Sequence, residues 1–233
     1  MVHTPLESNG FVDRIAAGRA LAVAVEKLRL RRPIIVLALP RGGVPVAYEV
    51  ALALGAPLDV LVVRKIGMPG QPELAIGAIA SGGIIVREPG TVGHLPALDT
   101  RFEQLARREL AELGRRERAY RRGLPPLDLR GQSVVLVDDG LATGATMLAA
   151  VRAARAAGAA FVVVAAPVAS DEAAATVGAE ADQIAILQVP PLLFAIGAWY
   201  RDFDQLDDAD VCRLLALARE KGSEPVAATQ DTA

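Results

Sequence analysis

The chain has 233 residues, enough to bury one substantial core, and a net charge of -2 that provides no basic field for a nucleic-acid partner. Hydrophobic residues make up 52% and aromatics 4%, so the core must be Ala, Val, Leu and Ile, which favours a parallel α/β sheet over an antiparallel sandwich. Cys212 is alone, which excludes an internal disulfide and a cysteine-based metal site, and no signal-like start or membrane-length apolar run is present, so a cytoplasmic protein with no membrane partner is expected.

Phe11, Ile15, Ala22, Val25 and Leu28 recur at helical spacing and predict an opening amphipathic helix. Ile34 to Leu39 is a continuous apolar run, the pattern of a buried strand, and Val44 to Leu54 suits a helix. Leu58 to Val63 predicts a second strand. A long insertion then runs over about residues 66–130. Within it Ala75 to Ala80 and Ile84 to Val86 flank Ser-Gly-Gly as a hairpin, and Leu98 to Arg122 predicts one long helix with Gly114 as a candidate break. Val134 to Val137, Phe161 to Ala166 and Gln183 to Leu187 complete the strands, with helices at Ala145 to Ala157 and Asp171 to Val177. The alternation predicts an α/β fold, a doubly wound parallel sheet flanked by helices, in one domain over residues 1–220. A disordered tail is expected over residues 221–233.

The segment Val134 to Thr146 carries the chemistry. An apolar strand ends at the adjacent acids Asp138 and Asp139, and a loop of small and hydroxyl residues then opens a helix. Such a helix start gathers unpaired backbone N–H groups and a positive dipole end, a site for phosphate. Thr143 and Thr146 add hydroxyl donors, while Gly144 and Ala145 leave room for an anion against the backbone. Paired carboxylates repel a phosphate but suit vicinal hydroxyls or a bridging metal. An anion at one end and a diol at the other describe a sugar phosphate. The plain alternative is an acidic turn before a helix cap.

Asp138-Asp139-Gly140-Leu141-Ala142-Thr143-Gly144-Ala145-Thr146 resembles the 5-phosphoribosyl 1-pyrophosphate (PRPP) signature of the type I phosphoribosyltransferases. The resemblance implies that Asp138 and Asp139 hold the ribose hydroxyls and that Ala142 to Thr146 wrap the 5-phosphate. It also implies a small C-terminal hood, here about residues 188–206, and an inserted flap. Gly140 departs from the family, which usually has an aliphatic residue there, and is expected to loosen the loop.

Pro40-Arg41-Gly42-Gly43-Val44 follows the first strand, where glycines permit close backbone approach to an anion. In the resembling family this is the pyrophosphate loop, often with an Arg-Gly pair and a strained peptide, so Arg41, Gly42 and Gly43 become the pyrophosphate candidates. Without that resemblance a tight turn explains the glycines equally well. Arg64 and Lys65 follow the second strand, where cations at the carboxyl end of a parallel strand face the ligand crevice. Either could neutralise departing pyrophosphate.

Acids and arginines three or four apart along the long helix describe a solvated, salt-bridged surface, although its end, Tyr120-Arg121, is a candidate closing element. Phe194 to Phe203 gathers four of the aromatics and resembles the hood of 6-oxopurine members, which makes Phe194, Trp199 and Asp202 acceptor-site candidates. A core or dimer-interface cluster is the alternative.

Ala142 stands where purine-salvage members usually carry an Asp that exchanges a proton with the base, which argues against a 6-oxopurine acceptor. His3 and His94 lie in no motif, and no G-x-S-x-G elbow or Walker A loop is present. Phe11-x-Asp13-Arg14, Leu39-Pro40-Arg41-Gly42-Gly43-Val44-Pro45-Val46, Leu58-Asp59-Val60-x-x-x-Arg64-Lys65 and Trp199-Tyr200-x-Asp202-Phe203 resemble a group of bacterial phosphoribosyltransferase-like proteins of undefined acceptor.

The expected reaction is transfer of phosphoribosyl from PRPP to a nitrogenous heteroaromatic small-molecule acceptor. Magnesium is the implied cofactor, held mainly by substrate oxygens with no directly assigned protein ligand. Homodimerisation is the family's habit. A PRPP-binding regulator without turnover, a scaffold that has lost catalysis, and a dinucleotide oxidoreductase are the other readings.

Overall fold

A computed structural model describes residues 10–68, 71–87 and 96–222. Five strands, β1 (Ile34–Ala38), β2 (Leu58–Val60), β6 (Ser133–Val137), β7 (Phe161–Val168) and β8 (Gln183–Gln188), form a parallel sheet in the order β2-β1-β6-β7-β8. Three more, β3 (Val63–Met68), β4 (Gln71–Ala80) and β5 (Ile84–Arg87), form a separate antiparallel sheet. The helices are α1 (Arg14–Glu26), α2 (Gly43–Leu54), α3 (Pro96–Tyr120), α4 (Ala145–Ala156), α5 (Asp171–Gly178) and α6 (Asp208–Gly222).

Every residue of β1 and β6 is buried, as a strand covered on both faces requires. Their side chains alternate between two cores. Val36, Ala38, Val135 and Val137 meet α1, α2 and α6 on one face, through residues such as Leu21, Val50 and Leu215. Ile35, Leu37, Val134 and Leu136 meet α4 and α5 on the other, through Met147, Val151 and Val177. Each fully buried Val or Leu contributes about 1.5–3 kcal/mol.

β1 has β2 on one side and β6 on the other, so the chain leaves β1 in one direction and returns in the other. The loops after β1 and β6 therefore diverge over a switch point, the position where open α/β sheets bind ligands. The register fixes the alignment: Ala38 stands opposite Val137, and the Leu39 N–H donates to the Val137 carbonyl at 2.9 Å.

The expected doubly wound sheet and most predicted elements form. The second strand does not run through to Val63. It ends at Val60, because Ser81 from the hairpin turn accepts from the Val62 N–H at 3.0 Å and donates its own N–H to the Val62 carbonyl at 2.9 Å. This turns the chain out of the parallel sheet into β3, whose partner is β4. The hairpin expected around Ser-Gly-Gly is present as β4 and β5, and α3 continues through Gly114 without a break. α6 extends two residues into the predicted tail; the rest of that tail, His3 and His94 lie outside the described residues.

The end of α3 is fixed to the sheet rather than free to close over a site. Arg121, whose side chain is only 7% exposed, donates to Asp59 of β2 at 3.0 and 3.1 Å and to the Pro125 carbonyl at 2.9 Å. Tyr120 is buried and donates to Asp208 of α6 at 2.6 Å; burial, then that carboxylate, pushes its hydroxyl up to about 12. The closing role expected of both residues gives way to a structural one. Arg121→Met leaves the Asp59 carboxylate enclosed without its cation, so unfolding free energy in urea should fall by about 3 kcal/mol. Adding Asp59→Asn should restore at least half of that, since the amide still accepts from the Val60 N–H that Asp59 now holds at 2.8 Å.

Candidate active site

The acids stand where β6 ends, beside the loop after β1. The Pro40–Arg41 peptide is cis, and Gly43 opens α2 with Arg41 exposed just before it. A Cβ on Gly42 would collide with the Asp139 carboxylate, and one on Gly43 would lie 2.6 Å from the Val137 carbonyl oxygen. A side chain at Gly43 would meet the backbone of Val137 and Asp138, and one at Gly42 the Asp139 carboxylate, so glycine at both positions lets the two loops lie against each other.

Asp138 keeps a partly exposed edge, but its carboxyl group is enclosed. Burial, then the charge of Asp139, raises it well above the usual carboxylate range; the Asp139 N–H, donating at 2.9 Å, and Arg14 pull the other way. Asp139 receives Arg14 Nε at 2.8 Å, and its carbonyl accepts from the Tyr200 hydroxyl at 2.6 Å. Burial, then the neighbouring acids, keeps that hydroxyl protonated far above its ordinary range, so it serves as a donor.

Beyond the acids, the loop is held from outside and left open inside. The Leu141 N–H donates to Val168 at 2.9 Å, and Ser170 donates from its backbone to Leu141 at 2.9 Å and from its hydroxyl to Ala142 at 2.7 Å. Ala142 and Thr143 are exposed, Ala145 and Thr146 half-buried. Gly144 takes φ +71 at the N-cap of α4 and has no side chain to cap it, and the Thr143 hydroxyl accepts from the Ala145 N–H at 3.4 Å. The first-turn N–H groups of a 12-residue helix thus point out of a loop that carries Thr143 and Thr146.

Gly140 does not loosen the loop. A Cβ there would lie 2.5 Å from Ile196 Cδ1 and 2.6 Å from its Cγ2. The hood residue Ile196 fills the volume that an aliphatic residue at position 140 would occupy, so the apolar contact is kept from the opposite side.

A cleft of about 360 Å³ opens at this edge, bordered by Arg14, Arg41, Gly42, Asp139, Phe203 and Asp204. Arg41, Gly42 and Asp139 are therefore brought together as expected. Arg64 is not among them: with the second strand cut short it sits on β3, where it pairs with Glu109 of α3 at 2.6 Å. Lys65, exposed on the flap, lines a small pocket with Ala145 at the start of α4. In the hood, Phe194 is 90% exposed, Asp202 is exposed, and Trp199 packs half-buried against the core. Phe203 is the aromatic that borders the cleft. Ser170 was not singled out from sequence, and Arg14, Ile196 and Phe203 stood in quoted segments without a role of their own; Arg14 lies 125 positions from the acid it holds, which no local pattern reports.

Two loops leave the sheet at a switch point, one of them with paired acids and a helix start, the arrangement expected from the sequence. The profile of the phosphoribosyl transferase domain matches residues 13–188, and the chain belongs to that family. It is similar to a protein of Mycobacterium tuberculosis H37Rv provisionally named a phosphoribosyl transferase: 47% identical over 216 residues, 92% of this chain and 48% of the relative. A relative from M. tuberculosis CDC 1551 / Oshkosh gives the same figures. The chain thus spans about half the length of the curated relatives it matches. The crystal structure of TT1426 from Thermus thermophilus is 46% identical with a TM-score of 0.82, covering 88% of this chain and 97% of that one.

Two predictions test this geometry. Ionising Asp138 costs more in the folded than in the unfolded chain, so its contribution to stability is full at acid pH and lost as pH rises through its raised folded value. Asp138→Asn should therefore melt at or above the wild-type temperature at pH 8, with the gap narrowing by pH 5; a gap that widens toward acid contradicts the assignment. Gly140→Val should lower stability by about 1–3 kcal/mol through overpacking, and Ile196→Ala in the same chain should recover most of it in denaturant melts.

Proposed function

We propose that the chain transfers the 5-phosphoribosyl group of PRPP to a nitrogenous heteroaromatic acceptor with release of pyrophosphate. The observation that supports this reading is the closeness of the Asp139 carboxylate to Gly42, where an added Cβ would collide with it, so that the acid pair and the loop after β1 border one cleft. The acceptor nitrogen forms a bond to C1 of the ribose as the bond from C1 to the pyrophosphate oxygen breaks, and the electron pair leaves with pyrophosphate. Positioning and neutralisation of that growing charge supply the rate.

Each residue then has a physical task. Asp138 and Asp139 accept from or bridge the ribose hydroxyls, the Ala142 to Thr146 loop holds the 5-phosphate, and Arg41 faces the leaving group. Arg64 is committed to Glu109 and has no part in that last role. Lys65 remains a flap cation beside the phosphate loop. Phe203 and the hood loop form the acceptor-side wall, and Ala142 leaves a purine ring without a carboxylate partner.

Magnesium fits this donor set in one form. Among the described residues no cluster of three His, Cys, Asp or Glu side chains is present, whereas Mg²⁺ is commonly held by one or two carboxylates plus substrate oxygens. Asp139, which borders the cleft, would hold it together with PRPP oxygens, and it would supply charge neutralisation on the pyrophosphate. No described helix is long and apolar enough to cross a membrane.

Calorimetric titration with magnesium and PRPP, followed by a screen of heteroaromatic acceptors for pyrophosphate release, tests the proposal. Asp139→Asn should cut turnover roughly 100-fold, about 2.7 kcal/mol of transition-state stabilisation. No heat with PRPP, or unchanged turnover in the variant, refutes the assignment. One observation favours a regulator that binds PRPP without turnover: Asp139 is already engaged by Arg14. Binding heat with no pyrophosphate release across the screen selects that reading.

A further inference from the structure

We propose that Arg14 is the positioning residue of this site, fixing the second ribose acid and the hood loop to one another with a single side chain. The inference rests on the PRPP reading above. Arg14 begins α1, and its preceding residue Asp13 caps that helix by accepting from the Ala16 N–H at 2.6 Å, which fixes the backbone from which the arginine projects. Its guanidinium makes three separate contacts. Nε donates to Asp139 Oδ2 at 2.8 Å, Nη1 donates to the Asp204 carbonyl at 2.9 Å, and the flat face lies 3.8 Å from the centroid of the Phe203 ring.

The pair is shielded, with Arg14 and Asp139 side chains 11% and 14% exposed, so solvent screening does not reduce it to a loose surface contact. The hood is also tied to the segment that bears Arg14. Phe11 donates to the Trp199 carbonyl at 2.7 Å, and the Arg201 and Asp202 N–H groups donate to Phe11 and Val12 at 2.9 Å. Tyr200 reaches the Asp139 carbonyl from the same stretch. Arg14 is therefore the point where the start of the chain, the ribose acid and the hood wall meet across one cleft.

A carboxylate beside a second carboxylate gains from a fixed cation, and only a planar fork reaches two oxygens and a ring at once. Lysine offers a compact charge and no flat face. One guanidinium nitrogen occupies one of about four acceptor positions on the Asp139 carboxylate, which leaves others for a ribose hydroxyl. Arg14 thus holds the acid without consuming its capacity to bind.

Calorimetric titration of magnesium–PRPP into wild type, Arg14→Gln and Arg14→Lys tests this, with Arg19→Gln as a control on the same helix. Arg19 is exposed and pairs only with Glu49 among the described residues. Arg14→Gln should bind PRPP about tenfold or more weakly. Arg14→Lys should recover part of that loss, and Arg19→Gln should match wild type. Wild-type affinity, or tighter binding, in a folded Arg14→Gln overturns the proposal; so does wild-type affinity in Arg14→Lys should the glutamine variant fail to fold. Silence of all four proteins, wild type included, removes the PRPP reading itself and is distinguishable from loss confined to the Arg14 variants.

Discussion

The parallel register between β1 and β6 sets the geometry of everything that follows. Each strand is only five residues long and buried on both faces, so neither can slip without moving its apolar side chains out of both cores at once. With Ala38 held opposite Val137, the two loops that follow leave the sheet side by side. Gly42 and Gly43 then admit the acids of the second loop into space that any side chain would fill. Sheet packing thus places an anion-type turn, an acid pair and a helix start at one edge before any side-chain chemistry is considered.

That placement creates an electrostatic problem, two adjacent carboxylates in a half-shielded setting, and the fold solves it unequally. Asp138 is enclosed and resists ionisation, whereas Asp139 receives a guanidinium from α1. Two chemically identical groups acquire different environments, the general route by which proteins separate the roles of paired acids. The hood contributes the remaining contacts: Ile196 against Gly140, Tyr200 on the Asp139 backbone and Phe203 beneath Arg14. Much of its aromatic content serves this scaffold, since Tyr200 is buried and Trp199 packs against the core, while Phe194 stands out in solvent.

Particular residues show where sequence reasoning reached and where it stopped. The strand, acid pair and Thr-Gly loop are contiguous, so their local order encodes both their structure and their placement. The Pro40 to Gly43 turn was legible for the same reason. Arg64 was misplaced because the strand-like segment 58–63 carries no sign of the Ser81 contacts that end the strand and redirect the chain. Tyr120 and Arg121 looked free at a helix end because Asp208 and Asp59 are distant in sequence. Gly140 looked like a loosening because Ile196 lies 56 positions away (196 minus 140) and fills its volume from another element.

By itself the sequence determined the α/β class, the order of most elements and the residues of the two loops after the first and third core strands, because hydrophobic period and turn chemistry act over a few neighbouring residues. Tertiary structure alone decided which cations reach the cleft, which aromatic borders it and how the acid pair is balanced. Those outcomes depend on contacts between segments tens to more than a hundred residues apart, and such contacts exist only once the sheet register and the hood have brought the segments together.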